Sequence, residues 1–152
     1  MSSDISITLA DMDMCTDMTA GQVTALGQVL RTEKVVGGEK LFAIGDTGEK
    51  LYLITKCDID IRLPTTKHHY KRLAKYGPGS LFGEIAFLQP GSRAADAIAM
   101  CPSELLVLDR PAFESLVEAD NSAAIALLIA LGKAQGNNLR WSAMEISRLA
   151  QW

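Results

Sequence analysis

A carboxylate and a guanidinium lie nine positions apart in a stretch that is rich in turn-forming residues. Glu84 follows the flexible residue Gly83, and Arg93 follows a second turn at residues 89–91. Gly83 allows the backbone to turn sharply or to approach a ligand closely. The residues after Glu84 suit a single helical turn, and the first N–H groups of such a turn attract anions. If the loop folds back, the forked cation of Arg93 is placed over those N–H groups.

The carboxylate of Glu84 indicates which kind of anion would bind. It would repel a simple phosphate but would accept a hydrogen bond from a neutral hydroxyl. An anion and a hydroxyl held a few ångströms apart describe a sugar phosphate. Small side chains at Ala86, Ala94 and Ala95 leave room for contacts from the backbone. We therefore expect Glu84 and Arg93 to face one shared cavity and to hold opposite ends of a sugar phosphate.

This stretch resembles the phosphate-binding cassette of the cyclic nucleotide-binding domains. Such domains occur in regulatory subunits of protein kinase A, in the catabolite activator protein and in cyclic-nucleotide-gated channels. The residues that carry the resemblance are Phe82, Gly83, Glu84, Ile85 and Ala86, followed by Arg93, Ala94 and Ala95. The resemblance implies that Glu84 binds the ribose 2′-hydroxyl. It also implies that the cyclic phosphate is held by Arg93 and by the N–H groups of Ile85, Ala86 and Ala94.

The resemblance also suggests what surrounds the base of the nucleotide. Apolar groups at Leu73, Leu81 and Phe82 would flank it, and Trp141 is the candidate lid, with Leu139 and Met144 as alternatives. Threonine directly after the arginine often marks cGMP preference in the family, so Ala94 favours cAMP over cGMP.

Three positions depart from the usual family pattern. Ser92 stands where many members carry proline, which changes only the stiffness of the loop. Asp96 stands where many carry threonine or serine, but on a strand it would point away from the face that carries Arg93. Cys57 and Asp58 replace the glycine that the family usually has in the turn after the strand at residues 51–54.

Short apolar runs separated by glycine and aspartate turns fill the middle of the chain. This pattern is typical of a sandwich or barrel of antiparallel strands. Apolar residues at helical spacing, with Thr19 as a cap, predict a helix before the strands, and further helices follow them. We expect a mainly β domain with flanking α-helices: an antiparallel β jelly roll with an N-terminal helix and C-terminal helices. The expected divisions are a flexible lead-in at 1–16 and a domain at 17–151, with its helix at 17–31, its β roll at 33–109, the cassette at 82–95 and the C-terminal helices at 111–151.

Two local features of the expected fold lead to separate predictions. Residues 64–70 read as a polar hairpin tip, with the adjacent His68 and His69 exposed rather than bound to a metal. Residues 136–138, Gly-Asn-Asn, either bend or weaken the last helical segment after residue 133.

Composition bounds the class of protein. The chain has 152 residues, 48% of them hydrophobic and 22% charged, which suits one globular domain. Its net charge of −3 argues against a broad nucleic-acid surface. Cys15, Cys57 and Cys101 contain no Cys-x-x-Cys pair and predict reduced thiols in a cytoplasmic protein rather than a disulfide framework or zinc site. No signal peptide is visible, and the longest apolar run, residues 123–131, is too short to cross a bilayer.

We expect a regulatory domain rather than an enzyme. Glu84 and Asp96 are the candidate acid/base pair, but neither a nucleophile nor a metal set accompanies them. Cyclic nucleotide binding would close residues 82–94 and let the C-terminal helices repack, with no cofactor required. The alternative is a nucleotide-free β roll that docks to a partner through its helices. Because the chain stops at Trp152 with no helix-turn-helix, we expect it not to bind DNA directly.

The C-terminal residues resemble one group within the family. The pattern formed by Asn138, Leu139, Arg140, Glu145, Ile146 and Leu149, together with residues 93–96, is similar to domains attached to bacterial sulfate-permease-type transporters and to some glutaminases. This implies a regulatory domain whose partner is a parent transporter, a parent enzyme or a second copy bound through the helices.

Overall fold

The computed structural model describes residues 8–150, except for the side chains of residues 137–139, 141, 142, 145, 146, 149 and 150. The strands are β1 (Arg31–Val35), β2 (Lys40–Phe42), β3 (Thr47–Gly48), β4 (Leu51–Lys56), β5 (Ile59–Thr66), β6 (His69–Tyr76), β7 (Leu81–Phe82), β8 (Gly91–Ser92), β9 (Asp96–Ala99) and β10 (Ser103–Leu108). The helices are a 3₁₀ helix (Asp13–Cys15), α1 (Ala20–Val29), α2 (Glu84–Leu88), α3 (Arg110–Ala119) and α4 (Asn121–Ala150).

Two four-stranded antiparallel sheets form the β roll. Their strand orders are β1-β10-β4-β7 and β2-β9-β5-β6, and the short strands β3 and β8 pair beside them. Neighbouring strands in each sheet are mostly distant in sequence, as in a jelly roll. The expected fold class, an antiparallel β core with flanking helices, is therefore confirmed.

The first sheet separates two apolar cores. Along β4, Leu51 and Leu53 pack against the helices, while Tyr52 and Ile54 point into the roll. This alternation follows from the two-residue period of a strand, and it lets one strand serve both cores. The position of Tyr52 inside the roll bears on the candidate site described below.

Side-chain caps fix where two helices begin. Thr19 accepts a hydrogen bond from the N–H of Gln22, and the Gln22 side chain accepts one from the N–H of Thr19. This reciprocal capping box confirms Thr19 as the predicted cap of α1. Asp109 caps α3 by accepting from the N–H of Ala112 at 2.9 Å, and Pro111 lies in the first turn of that helix. The Ala112 hydrogen bond is the main reason why the pKa of Asp109 lies below its usual value.

The lead-in is more ordered than the sequence suggested. Within the described residues, 8–10 form a helical turn and the 3₁₀ helix follows. Leu9, Met12 and Cys15 recur every three residues and are buried in the core shared with the helices. The expectation of a flexible segment up to residue 16 is wrong here, because this apolar spacing is enough for a short helical segment to pack.

The structure refines two other local expectations. The last helix, α4, is continuous through residues 136–138, so Gly136 does not end it. The predicted hairpin tip at residues 64–70 is present and exposed, but only Lys67 and His68 form its turn, and strands β5 and β6 extend up to that turn. His68 has a φ of 69°, a left-handed conformation that a tight hairpin turn requires. No cluster of three or more metal-ligating side chains occurs among the described residues.

The cysteines differ from the expectation of three reduced thiols. Cys57 and Cys101 form a disulfide with their Cα atoms 6.1 Å apart, within the ordinary range for such a bond. Cys57 has a φ of 70°, the left-handed conformation that favours glycine, at the position where the resemblance placed a glycine. Cys15 is free, and burial raises the pKa of its thiol to about 11.

No helix in the described part of the chain combines the length and apolarity needed to cross a membrane.

Candidate functional site

Two backbone hydrogen bonds fix the position of Arg93. Its N–H donates to the carbonyl of Asp46 at 2.7 Å, and its carbonyl accepts from the N–H of Gly45 at 2.8 Å. Strands β3 and β8 pair immediately beside these bonds. The turn before β3 therefore holds the loop that carries Arg93, although the two are almost fifty residues apart in the sequence.

The guanidinium of Arg93 is buried and has no carboxylate partner. The residue is only 6% exposed, and its Nη2 donates to the carbonyl of Lys50 at 3.2 Å. Its Nε is buried with no hydrogen-bond partner. In the described part of the chain, no carboxylate oxygen lies within 4.0 Å of a guanidinium nitrogen, which is the distance limit for an ion pair. Burial lowers the pKa of Arg93, because a desolvated cation is costly unless an anion accompanies it.

Aromatic rings enclose the same guanidinium. Its Cζ lies 4.1 Å from the centroid of the Phe42 ring and 6.0 Å from that of Tyr52. These contacts orient the cation without neutralising it. The charge therefore remains available to an anion.

Two glycines leave the space that Arg93 occupies. A Cβ at Gly48 would lie 2.7 Å from both Cζ and Nη2 of Arg93. A Cβ at Gly83 would lie 2.7 Å from the carbonyl oxygen of Lys50 and 3.2 Å from Nη1 of Arg93. Gly83 also has a φ of +84°, which side chains rarely adopt. Position 83 therefore requires glycine, whereas a side chain at position 48 would displace the Arg93 guanidinium.

Glu84 begins helix α2 and is also buried. It is 8% exposed, and its Oε1 accepts a hydrogen bond from Nε2 of Gln135 on α4 at 2.6 Å. The pKa of Tyr76 is raised, mainly by burial and also by the negative charge of Glu84. The carboxylate thus lies where the roll meets the last helix.

Glu84 and Arg93 line different cavities. Glu84 borders a cavity of about 690 Å³ between the β roll, the 3₁₀ helix and α4. Arg93 borders one of about 580 Å³ formed by residues of the β2–β4 segment together with Pro90. The two cavities share no lining residue. The expectation of one shared cavity is wrong for this structure, because the Glu84 side chain points towards Gln135.

Aromatic side chains fill the interior of the roll near both groups. The rings of Tyr52 and Phe82 stack with centroids 4.9 Å apart, and Tyr76 stacks on Phe82 at 6.4 Å. Phe42 completes the cluster at 6.2 Å from Phe82. Phe82 is therefore part of the packed interior and lines neither cavity.

The other residues of the predicted cassette lie around α2 and before β9. The first helical hydrogen bond joins the N–H of Phe87 to the carbonyl of Gly83 at 3.1 Å. The N–H groups of Ile85 and Ala86 come before this bond in the chain, in the first turn of α2. The side chain of Ile85 is 65% exposed and Ala86 is buried. Ala94 is exposed and Ala95 is buried.

The groups predicted to flank or cover the base have mixed positions. Leu81 lines the cavity that Glu84 borders. Leu73 is 52% exposed on the edge strand β6 and lines neither cavity, so the structure does not bring it to the site. Trp141 belongs to α4, and its side chain lies outside the described residues.

Asp96 has a structural role beside the site. Its Oδ1 accepts from the N–H of Ile44 at 2.7 Å, and its Oδ2 pairs with Lys40 at 3.3 Å. Strand β9 begins at Asp96 and not at Arg93. These bonds engage the carboxylate with β2 and with the loop that follows it.

Sequence reasoning missed several residues of the site. Gly48, the carbonyl of Lys50 and Gln135 are not among the residues predicted for the site. The signal for Gly48 was its position in the Gly45-Asp46-Thr47-Gly48 turn. No sequence signal marks a backbone carbonyl or a single glutamine on a helix.

Comparison with known proteins identifies the family. The family model described as "Cyclic nucleotide-binding domain" matches residues 32–120. A provisionally named potassium channel protein of Rhodopseudomonas palustris is 32% identical over 117 residues, covering 76% of this chain and 28% of that protein. The cyclic AMP receptor protein of Thermus thermophilus is 36% identical over 80 residues, covering 53% of this chain and 37% of that protein. This chain belongs to the cyclic nucleotide-binding domain family.

A solved structure shows the same fold. A cyclic nucleotide-binding domain from Methylobacillus flagellatus superposes with a TM-score of 0.81 at 22% identity, covering 97% of this chain and 83% of that one. The chain spans less than two fifths of the length of the two curated relatives named above. The likeness to transporter-attached or glutaminase-attached domains is not among these findings.

Proposed function

We propose that this chain is a sensor domain that binds a cyclic nucleotide, cAMP in preference to cGMP. The observation that carries the proposal is the buried guanidinium of Arg93, which has an unpartnered Nε and no carboxylate partner in the described residues. A buried cation is stable only when an anion or several hydrogen bonds compensate it. A cyclic phosphate supplies both.

In this proposal the cassette grips two parts of the ligand. Arg93 and the N–H groups of Ile85, Ala86 and Ala94 hold the phosphate, and Glu84 accepts from the ribose 2′-hydroxyl. Glu84 must first turn away from Gln135, because Glu84 and Arg93 line separate cavities in this structure. Leu81 lines the cavity that Glu84 borders and flanks the base in this proposal.

The preference for cAMP rests on one residue. Ala94 has no hydroxyl with which to contact the base of cGMP, and its exposed position leaves it free to face a ligand. The Thermus thermophilus relative is named as a cyclic AMP receptor protein, which agrees with this preference.

The output of the sensor is mechanical rather than catalytic. Ligand binding changes the contacts of α4, and the repacked helix acts on a partner. That partner is a parent transporter, a parent enzyme or a second copy of the chain, in the cytoplasm. The relative named as a potassium channel protein agrees with attachment to a membrane transport protein.

A second candidate function has its own support. The stacked rings of Tyr52, Tyr76 and Phe82 fill the roll, and Glu84 and Arg93 face different cavities. These features suit a β roll that binds no nucleotide and docks to a partner through its helices.

A thermal-shift screen separates the two functions. The protein is heated with cAMP, cGMP or 5′-AMP, the last as a control without the cyclic phosphate. At a free concentration of one hundred times its Kd, a ligand adds about 2.7 kcal/mol to the free energy of unfolding. In a chain of this size that raises Tm by roughly 5–10 °C. We expect the largest rise with cAMP. An unchanged Tm with both cyclic nucleotides would favour the docking module.

A further inference from the structure

We propose that Gln135 competes with the ligand for Glu84. Its side-chain amide holds the Glu84 carboxylate against α4 until a ribose hydroxyl displaces that amide. This inference rests on the proposed function and names the group that regulates the same site. It concerns one hydrogen bond between the cassette and the last helix, from Nε2 of Gln135 to Oε1 of Glu84 at 2.6 Å.

The bond is chemically equivalent to the one that a nucleotide would make. An amide N–H and a ribose O–H are both neutral donors, and both suit a carboxylate oxygen. Glu84 is only 8% exposed, so its carboxylate requires a donor from either the protein or a ligand. Gln135 supplies that donor in this structure.

The surroundings of the bond connect it to the whole helix. The cavity that Glu84 borders has one wall made of α4, from residues Ala126, Ile129, Ala130, Lys133 and Ala134. Gln135 follows these residues directly. Release of Gln135 therefore removes one contact that holds α4 beside an existing cavity, into which the Glu84 side chain has room to move.

The competition has two measurable consequences. A ligand must break the Gln135 bond before Glu84 is available, so the bond lowers ligand affinity. The two effects are reciprocal. Gln135 weakens ligand binding by a certain free energy, and the ligand weakens the docking of α4 by the same free energy. A hydrogen bond to a charged group corresponds to roughly a tenfold change in an equilibrium constant.

Calorimetric titration of cAMP into three proteins tests the inference. The variants are Gln135→Ala, which removes the donor, and Gln28→Ala, a matched change at an exposed position of α1. We expect Gln135→Ala to bind cAMP about three- to tenfold more tightly than the wild type, and Gln28→Ala to match the wild type. Gln135→Met keeps the side-chain length without the donor, and it replaces Gln135→Ala if that variant does not fold.

Hydrogen exchange of the α4 amides gives an independent measurement. We expect cAMP to speed exchange around residues 126–135 in the wild type, and the exchange in Gln135→Ala to be fast before any ligand is added. Unchanged or weaker cAMP affinity in Gln135→Ala, or unchanged exchange in α4, would overturn the competition while leaving the sensor intact. Failure of the wild type to bind any cyclic nucleotide would overturn both.

Discussion

Gly48→Ala disturbs the proposed phosphate site without replacing any residue that would contact the ligand. The alanine Cβ would lie 2.7 Å from Cζ and Nη2 of Arg93, well below an ordinary contact distance. The guanidinium must therefore move. It then loses its hydrogen bond to the carbonyl of Lys50 and its place 4.1 Å from the centre of the Phe42 ring.

The size of the effect follows from those two losses. A hydrogen bond from a charged group contributes about 1.5–3 kcal/mol. A cation over an aromatic ring contributes about 0.5–2 kcal/mol. A displaced Arg93 no longer lies where the phosphate is expected, so we predict that cAMP binding weakens at least about tenfold, or about 1.4 kcal/mol.

Gly91→Ala is the matched control. Gly91 pairs with Gly48 across the β3–β8 ladder, and a Cβ there would meet nothing closer than the carbonyl oxygen of Gln89 at 3.9 Å. Calorimetry with cAMP should therefore give a Kd for Gly91→Ala within about twofold of the wild type, and thermal unfolding should show that both variants fold. Unchanged binding in Gly48→Ala, or an equal loss in both variants, would refute the proposed role of Gly48.

Two further predictions concern the stability of the roll. Burial acts to raise the pKa of Asp60, but hydrogen bonds from Arg62 and Arg72 outweigh it and lower that pKa. The stability from these pairs is therefore complete above the unfolded-state pKa of about 4 and is lost as pH falls through the folded-state pKa. Urea unfolding should show Asp60→Asn less stable by roughly 3 kcal/mol at pH 7, with a much smaller difference near pH 2; an equal loss at both pH values would contradict this. Reduction of the Cys57–Cys101 bond, which links residues 44 positions apart, should lower the free energy of unfolding by about 2–4 kcal/mol, and Cys57→Ser should be insensitive to reductant. An identical Tm with and without reductant in the wild type would contradict the pairing.

The local features of the site could be predicted from the sequence because they are local in the chain. Gly83 and Glu84 adjoin one short helix, and a single turn separates that helix from Arg93. Residue type also indicated the chemistry, since a carboxylate and a guanidinium have few uses together near a tight turn.

The remaining features depend on contacts between distant residues. Gly48 meets Arg93 across 45 positions, Gln135 reaches Glu84 across 51, and Cys57 reaches Cys101 across 44. A sequence specifies the types of these residues but not the packing that brings them together. The error about a shared cavity has the same origin, because the direction of the Glu84 side chain is set by a helix fifty residues later.

Arg93 provides the most direct test of the account, because its buried guanidinium, which has no carboxylate partner within the described residues, is the reason for proposing an anion site. The measurement is a calorimetric titration of cAMP into the wild type, Arg93→Lys and Arg93→Ala. Lysine retains the charge but lacks the fork, so we predict a partial loss of affinity in Arg93→Lys and a loss of at least about tenfold in Arg93→Ala. The same Kd in all three proteins would contradict the assignment of Arg93 as the phosphate-binding group.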